Sequence, residues 1–167
     1  MILTINPRYV KAVKNPLPIP TICPHCGFPV KLVNNSEIYG KEYGEWPYAY
    51  LCYDNNLPAK DASSDEIDEW IKSPMPCEAY VGLHPYTDIP LGTLATSEMR
   101  SARKIAKRPF ISMIEQFKLT RTDAYTLLST ELNIPYSECH FGWFDVDMCK
   151  KATVAIRNIK KNLTIPT

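Results

Sequence analysis

An α+β protein is predicted, in which a small zinc-ribbon-like β-sheet lobe precedes three to four C-terminal helices. Three observations predict it. Cys23 and Cys26 form a C-P-H-C-G knuckle, and Cys52 and Cys77 stand where a partner knuckle belongs. Residues 22–92 hold short runs rich in Val, Leu and Tyr, punctuated by Gly and Pro, which is a strand pattern. From Thr96 onward, apolar residues recur every three or four positions, which is a helix pattern.

The elements follow in order. Residues 1–20 end with Pro16, Pro18 and Pro20 and read as an arm leading into the knuckle. Residues 21–95 form the β lobe. Its strand candidates are V-K-L-V at 30–33, Y-A-Y-L-C at 48–52 and A-Y-V-G-L-H at 79–84. Residues 53–76 read as an acidic insertion between Cys52 and Cys77. It opens on Asp54-Asn55-Asn56, closes on Pro74-Met75-Pro76, and carries a Ser-capped helix, S-S-D-E-I-D-E-W-I. Residues 96–167 form a helical lobe. A first helix starts at Thr96 or Ser97, Pro109 should stop or kink it, and a short helical turn is expected to continue through I-S-M-I-E-Q-F. Thr120 or Thr122 caps a second helix, ended by Asn133 and Pro135. Asp145 caps a last helix that runs to about Lys160. The two lobes are expected to form one compact unit, packed through Leu94, Phe110, Tyr125, Leu128, Trp143, Phe144 and Ile156.

A chain of 167 residues can bury a real core, so zinc need not support every part of it. No apolar run has the length of a membrane span, and the first residues lack a basic region followed by an apolar stretch. A cytoplasmic protein is expected, where closely spaced cysteines serve as metal ligands rather than disulfides. Net charge is +1 but unevenly spread. Residues 1–92 hold 7 Lys/Arg and 11 Asp/Glu, and residues 93–167 hold 12 and 7. A dipolar layout of this kind can orient a partner.

Two residues between paired cysteines let both thiolates reach one ion, and a structural zinc takes four such ligands. Cys23, Cys26, Cys52 and Cys77 are therefore the expected metal ligands, holding one structural Zn2+. Four thiolates leave no open coordination position, so the site stabilises rather than catalyses. Cys139, His140 and Cys149, joined by His84, make a second Cys/His set on paper, with buried core cysteines as the plainer account. No catalytic residue is assigned: the chain shows no phosphate-binding glycine loop, no paired carboxylates at acid–base spacing and no H-E-x-x-H. Arg100, Arg103, Lys104, Lys107 and Arg108 recur at helical spacing and offer a nucleic-acid or partner-binding face, with a solvated helix surface as the alternative.

These residues resemble a known family, the zinc-finger-containing domain of unknown function found in bacterial and phage proteins. The resemblance spans about residues 22–155. It is carried by I-C-P-H-C-G-F-P-V-K-L-V, S-E-I-Y-G-K-E-Y-G, A-Y-V-G-L-H, P-L-G-T-L-A with E-M-R-S-A-R-K, T-D-A-Y-T-L-L-S-T-E-L-N-I-P and E-C-H-F-G-W-F-D-V-D-M-C. It implies zinc at Cys23, Cys26, Cys52 and Cys77, and no established activity. The chain departs from the family pattern twice. The second knuckle, C-x2-C in the family, is split by the insertion. Lys107 and Ile111 stand where members tend to carry His and Asp.

The function expected is that of a zinc-stabilised binding or regulatory protein, phage-encoded and acting on a host protein or nucleoprotein complex. Nucleic-acid binding through the basic helices is the alternative. A nuclease-like enzyme using His84 and His140 is a further one. The partner, the oligomeric state and the role of the insertion lie beyond the sequence.

Overall fold

The computed structural model describes residues 2–165. The chain divides into two units, 1–96 and 97–167, each with its own hydrophobic core.

The first unit is built on a three-stranded antiparallel sheet. β1 (Val30–Asn34) pairs with β2 (Tyr48–Cys52), which pairs with β3 (Tyr80–Gly82), in the order β1-β2-β3. These are the three sequence-predicted strands within one or two residues at each end. The register sets Val30 opposite Cys52 and Tyr50 opposite Val81. Cys23, Tyr50, Cys52, Ala79, Val81, Leu83 and Leu94 form the core of this unit. The metal knuckle therefore doubles as the end wall of a hydrophobic core.

The N-terminal arm is not bare linker. Asn6 caps a short helix α1 (Pro7–Ala12), its side chain accepting from the Arg8 amide. The Asn6 amide donates to the Tyr86 carbonyl at 2.8 Å, and the Tyr9 and Tyr86 rings lie 4.9 Å apart. The arm is thus tied to the loop after β3. Thr87, fully buried, holds that loop: its hydroxyl donates to the His84 carbonyl and accepts from the Ile89 amide. Trp46 and Tyr50 donate to the Thr87 and Asp88 carbonyls, which fastens the loop to the sheet. A four-residue helix α2 (Ser36–Tyr39) connects β1 to β2.

Within the insertion, α3 (Ser64–Lys72) begins on a reciprocal capping box. The Ser63 hydroxyl accepts from the Glu66 amide, and the Glu66 carboxylate accepts from the Ser63 amide. α3 buries no residue fully. Ile67 and Ile71, with Leu57 and Met75 on either side in sequence, are exposed.

The second unit holds α4 (Ser97–Phe117), α5 (Arg121–Leu132) and α6 (Val146–Thr164), with two short 3-10 turns, Tyr136–Glu138 and Phe141–Trp143, before α6. α6 packs on both α4 and α5. The core consists of Ala106, Phe110, Met113, Ala124, Tyr125, Leu128, Phe141, Phe144, Ala152, Ile156 and their neighbours. Thr120 and Asp145 cap α5 and α6, accepting from the Asp123 and Met148 amides. Asn133 ends α5 in the left-handed conformation, as its type allows. α6 runs to Thr164, past the expected end near Lys160.

Pro109 does not stop α4, which runs through it for two further turns. The missing N–H deprives the Ile105 carbonyl of its partner. Ile105 lies on an exposed face, 60 % accessible, where water can take that bond. On the opposite face Ala106, Phe110 and Met113 are buried at helical spacing, and their packing holds the helix together across the proline. Among the described residues no helix is long and apolar enough to cross a membrane.

Candidate metal centre

The sequence places Cys23 and Cys26 in a tight turn before β1, Cys52 at the end of β2, and Cys77 just before β3. The fold gathers all four. Their sulfurs lie within 4.8 Å of one another. The shortest contacts cross between knuckles: Cys23 Sγ to Cys77 Sγ is 3.5 Å, and Cys26 Sγ to Cys52 Sγ is 3.4 Å. A tetrahedral zinc with bonds of about 2.3 Å separates its sulfurs by roughly 3.8 Å, so four thiolates here fit one ion with a small outward adjustment. Cys23 and Cys52 are buried at 1 % exposure each, and Cys26 and Cys77 face outward. No disulfide joins any of them.

The backbone repeats itself around the two pairs. The Cys23 amide donates to the Phe28 carbonyl at 2.8 Å, and the Cys52 amide donates to the Ala79 carbonyl at 2.9 Å. Phe28 and Ala79 each lie two residues past the second cysteine of their pair. The Phe28 amide bonds the Cys26 sulfur, and the Ala79 amide bonds the Cys77 sulfur. Gly27 and Glu78, the residues directly after those cysteines, both have positive φ, +77° and +55°. Cys52 and Cys77 therefore make a second knuckle that repeats these two bonds of the first, although 24 residues intervene, while the turn bond from the Gly27 amide to the Cys23 carbonyl at 2.9 Å belongs to the first knuckle. The insertion leaves from within a knuckle and keeps the bonds that close its two ends.

These bonds shape the acidity of the sulfurs. Burial pushes the Cys26 thiol up. The amides of Phe28 and Cys77, with hydrogen bonds from the Cys52 and Cys77 side chains, outweigh it and bring the thiol down to about 6. The Cys52 thiol is pushed up by burial and by its sulfur neighbours Cys26 and Cys23. The Cys77 thiol is also raised by burial, against the Ala79 amide. Four sulfurs this close cannot all ionise without a cation among them, and a bound cation removes that penalty.

His25, inside the first knuckle, is not a ligand. Its Nε2 lies 2.9 Å from the Leu94 carbonyl. A carbonyl only accepts, so Nε2 carries the proton. The bond ties the knuckle to the segment that pairs with β3 through Ala95 and Tyr80.

A family model supports the metal reading. The zinc-finger-containing domain model matches residues 69–161, more than half of the chain. The chain belongs to that family. No curated protein and no solved structure matches it. The matched stretch of this zinc-finger-containing domain opens inside α3. It includes Cys77 and most of the helical unit, and leaves out Cys23, Cys26 and Cys52. The completeness of the cysteine set accordingly rests on geometry. The donor set and the family together make this a site for one structural zinc ion.

The other sequence-predicted residues are placed as follows. Among the described residues the four cysteines are the sole group of His, Cys, Asp or Glu close enough to hold a metal. Cys139 and Cys149 sit in the apolar core of the helical unit, at 1 % and 2 % exposure, and burial raises both thiols. They are core residues. His140 lies between the two 3-10 turns, its ring 4.8 Å from that of Trp143, and its Nε2 is buried without a hydrogen-bond partner. His84 opens the loop after β3, half-buried, with its pKa lowered by burial. Among the described residues, neither histidine ring is hydrogen-bonded to a carboxylate. Of the basic residues on α4, Lys104, Lys107 and Arg108 are exposed. Arg103 is half-buried, and its Nε donates to the Phe144 carbonyl at 2.8 Å, which makes it a brace between α4 and the start of α6.

One pair was invisible to sequence reasoning. Asp54 and Trp70, at opposite ends of the insertion, are joined by a 2.8 Å bond from the indole Nε1–H to Oδ2. Neither residue type nor spacing announces it.

Proposed function

We propose that this zinc-finger-containing domain is a protein-binding module, in which the metal centre holds the insertion 53–76 in place as the recognition element. In its finer form the reading makes the chain a regulator acting on a host protein or nucleoprotein complex. The observation that carries it is the closed second knuckle. A loop of 24 residues leaves a metal-anchored point and returns to it, with its ends joined by the Cys52 amide to Ala79 carbonyl bond that matches the Cys23 to Phe28 bond of the compact first knuckle. What it displays suits contact with a protein: exposed Leu57, Ile67, Ile71 and Met75 beside six carboxylates and two lysines. Exposed apolar side chains gathered on one segment mark interaction surfaces.

The test compares the zinc-loaded chain with a form lacking residues 56–74, each used as bait in the native host, with bound proteins identified by mass spectrometry. A deletion form that keeps one zinc per chain and loses a stoichiometric partner supports the proposal. Retention of that partner contradicts it.

The exposure of Lys104, Lys107 and Arg108 on one stretch of α4 favours a second reading, phosphate-backbone binding. Such binding falls steeply as salt rises. Replacing these three with glutamate should abolish it, and unchanged affinity for DNA and RNA removes the reading.

A further inference from the structure

The insertion folds around a cleft of about 400 Å³, in the lower range for ligand sites. Phe28 of the first knuckle, Trp70 and Pro74 line it with apolar surface. Asp54, Glu66 and Glu69 line it with carboxylates, and no lysine or arginine does. Asp54 is the unusual member. It is 8 % exposed, and its oxygens accept from the Trp70 indole and the Asn56 amide, both neutral donors, at 2.8 Å each. Among the described residues no cation pairs with it. A buried carboxylate lacking a countercharge is costly unless something compensates it. Each of its oxygens retains a lone pair beyond the one in use.

We propose that this cleft binds an arginine side chain presented by a partner protein, an inference that rests on the insertion being the recognition element. Guanidinium matches each feature. Its planar fork bonds carboxylates in pairs, and it sheds water more readily than an ammonium group. It stacks on an indole face, the most favourable ring for a cation. Its three-carbon stem covers apolar walls such as Phe28 and Pro74. The charge of the insertion, −4 from six carboxylates and two lysines, draws a basic segment toward it.

The test uses the zinc-loaded full chain, labelled with 15N, at low salt. Acetyl-Gly-Arg-Gly-amide is titrated in, and the Trp70 indole signal, assigned with Trp70→Phe, is followed. The same peptide with citrulline in place of arginine keeps the shape and removes the charge. A saturable shift of the Trp70 signal with arginine, absent with citrulline, supports the proposal. A lysine peptide should bind more weakly than arginine. Glu69→Gln, at an exposed position, should weaken binding by about three- to fivefold, and Asp54→Asn should abolish it. Because Asp54→Asn can loosen the insertion, Glu69→Gln carries the charge test by itself. No saturable shift, equal response to citrulline, or lysine as strong as arginine overturns the proposal. The titration needs no partner protein. A negative result beside a complex that still requires residues 56–74 removes the arginine site alone. A positive result beside a complex that survives the deletion removes the recognition role alone.

Discussion

Glu78 occupies the position in the second knuckle that Gly27 occupies in the first. Both follow a cysteine and both have positive φ, yet only glycine adopts that conformation without cost. A Cβ on Gly27 would meet nothing within 4 Å, so the penalty there is one of backbone conformation alone. Gly27→Ala should therefore destabilise the sheet unit by about 1 kcal/mol, and Glu78→Gly should stabilise it by up to about 1 kcal/mol. Denaturant midpoints of the zinc-loaded protein check both signs. The same residues mark how far the sequence can be read. The first knuckle was legible because C-P-H-C-G is local and its glycine announces the turn. Cys52 and Cys77 were legible as ligands from their places at strand ends. That they repeat two hydrogen bonds of the first pair was not, because a glutamate gives no sign of positive φ. The bond from His25 to the Leu94 carbonyl was hidden for a different reason: its partners lie 69 residues apart and one is backbone.

Among the elements, α3 is held at its start rather than by burial. Its capping box satisfies amides that would otherwise lack partners. Ser63→Ala should cost about 1 kcal/mol of local stability, read as faster amide exchange in α3. The Glu66 carboxyl is held below its ordinary value by its bonds to the Ser63 amide and hydroxyl. A lowered folded pKa stabilises the helix above the ordinary glutamate value, and that contribution is lost as pH falls through the lowered one. Protection of α3 should decline with acid in the native chain and lose this step in Glu66→Gln. The capping sequence made this helix legible. For α4 the helical pattern on both sides of Pro109 was legible and the unbroken passage was not, since the proline allows a stop and the buried face of Ala106, Phe110 and Met113 carries the helix through. Local preference gave way to packing that only the folded unit supplies. Pro109→Ala should restore the bond to the Ile105 carbonyl and stabilise α4 by about 1 to 3 kcal/mol, measured as a rise in the unfolding midpoint of the helical unit. α5 and α6 were predictable because Thr120, Asn133 and Asp145 mark their ends.

At the scale of the whole molecule, the two units have separate cores, and only one of them contains the metal centre. Cys23 and Cys52 are themselves core residues of the sheet unit. Without an ion, four close sulfurs become a cost there, and the three-stranded sheet is small. The helical unit has a full apolar core without metal. Chelation should therefore abolish the near-ultraviolet circular dichroism of the sheet unit, where Trp46 packs on Tyr48 and Tyr86, while most helical far-ultraviolet signal survives. A single loss of both signals would contradict independent cores. Charge follows the same division, with the insertion acidic and the helices basic. Function was the least legible property. A closed ligand set states what holds the fold, and the cleft formed by Asp54 and Trp70 depends on a contact across 16 positions that no local pattern encodes.

X-ray absorption of the purified chain, with metal analysis on the same sample, addresses the four-cysteine centre most directly. One zinc per chain with a first shell of four sulfurs at about 2.3 Å is the predicted result. Fewer than four sulfurs, a nitrogen or oxygen in the first shell, iron in place of zinc, or a folded sheet unit free of metal would contradict it.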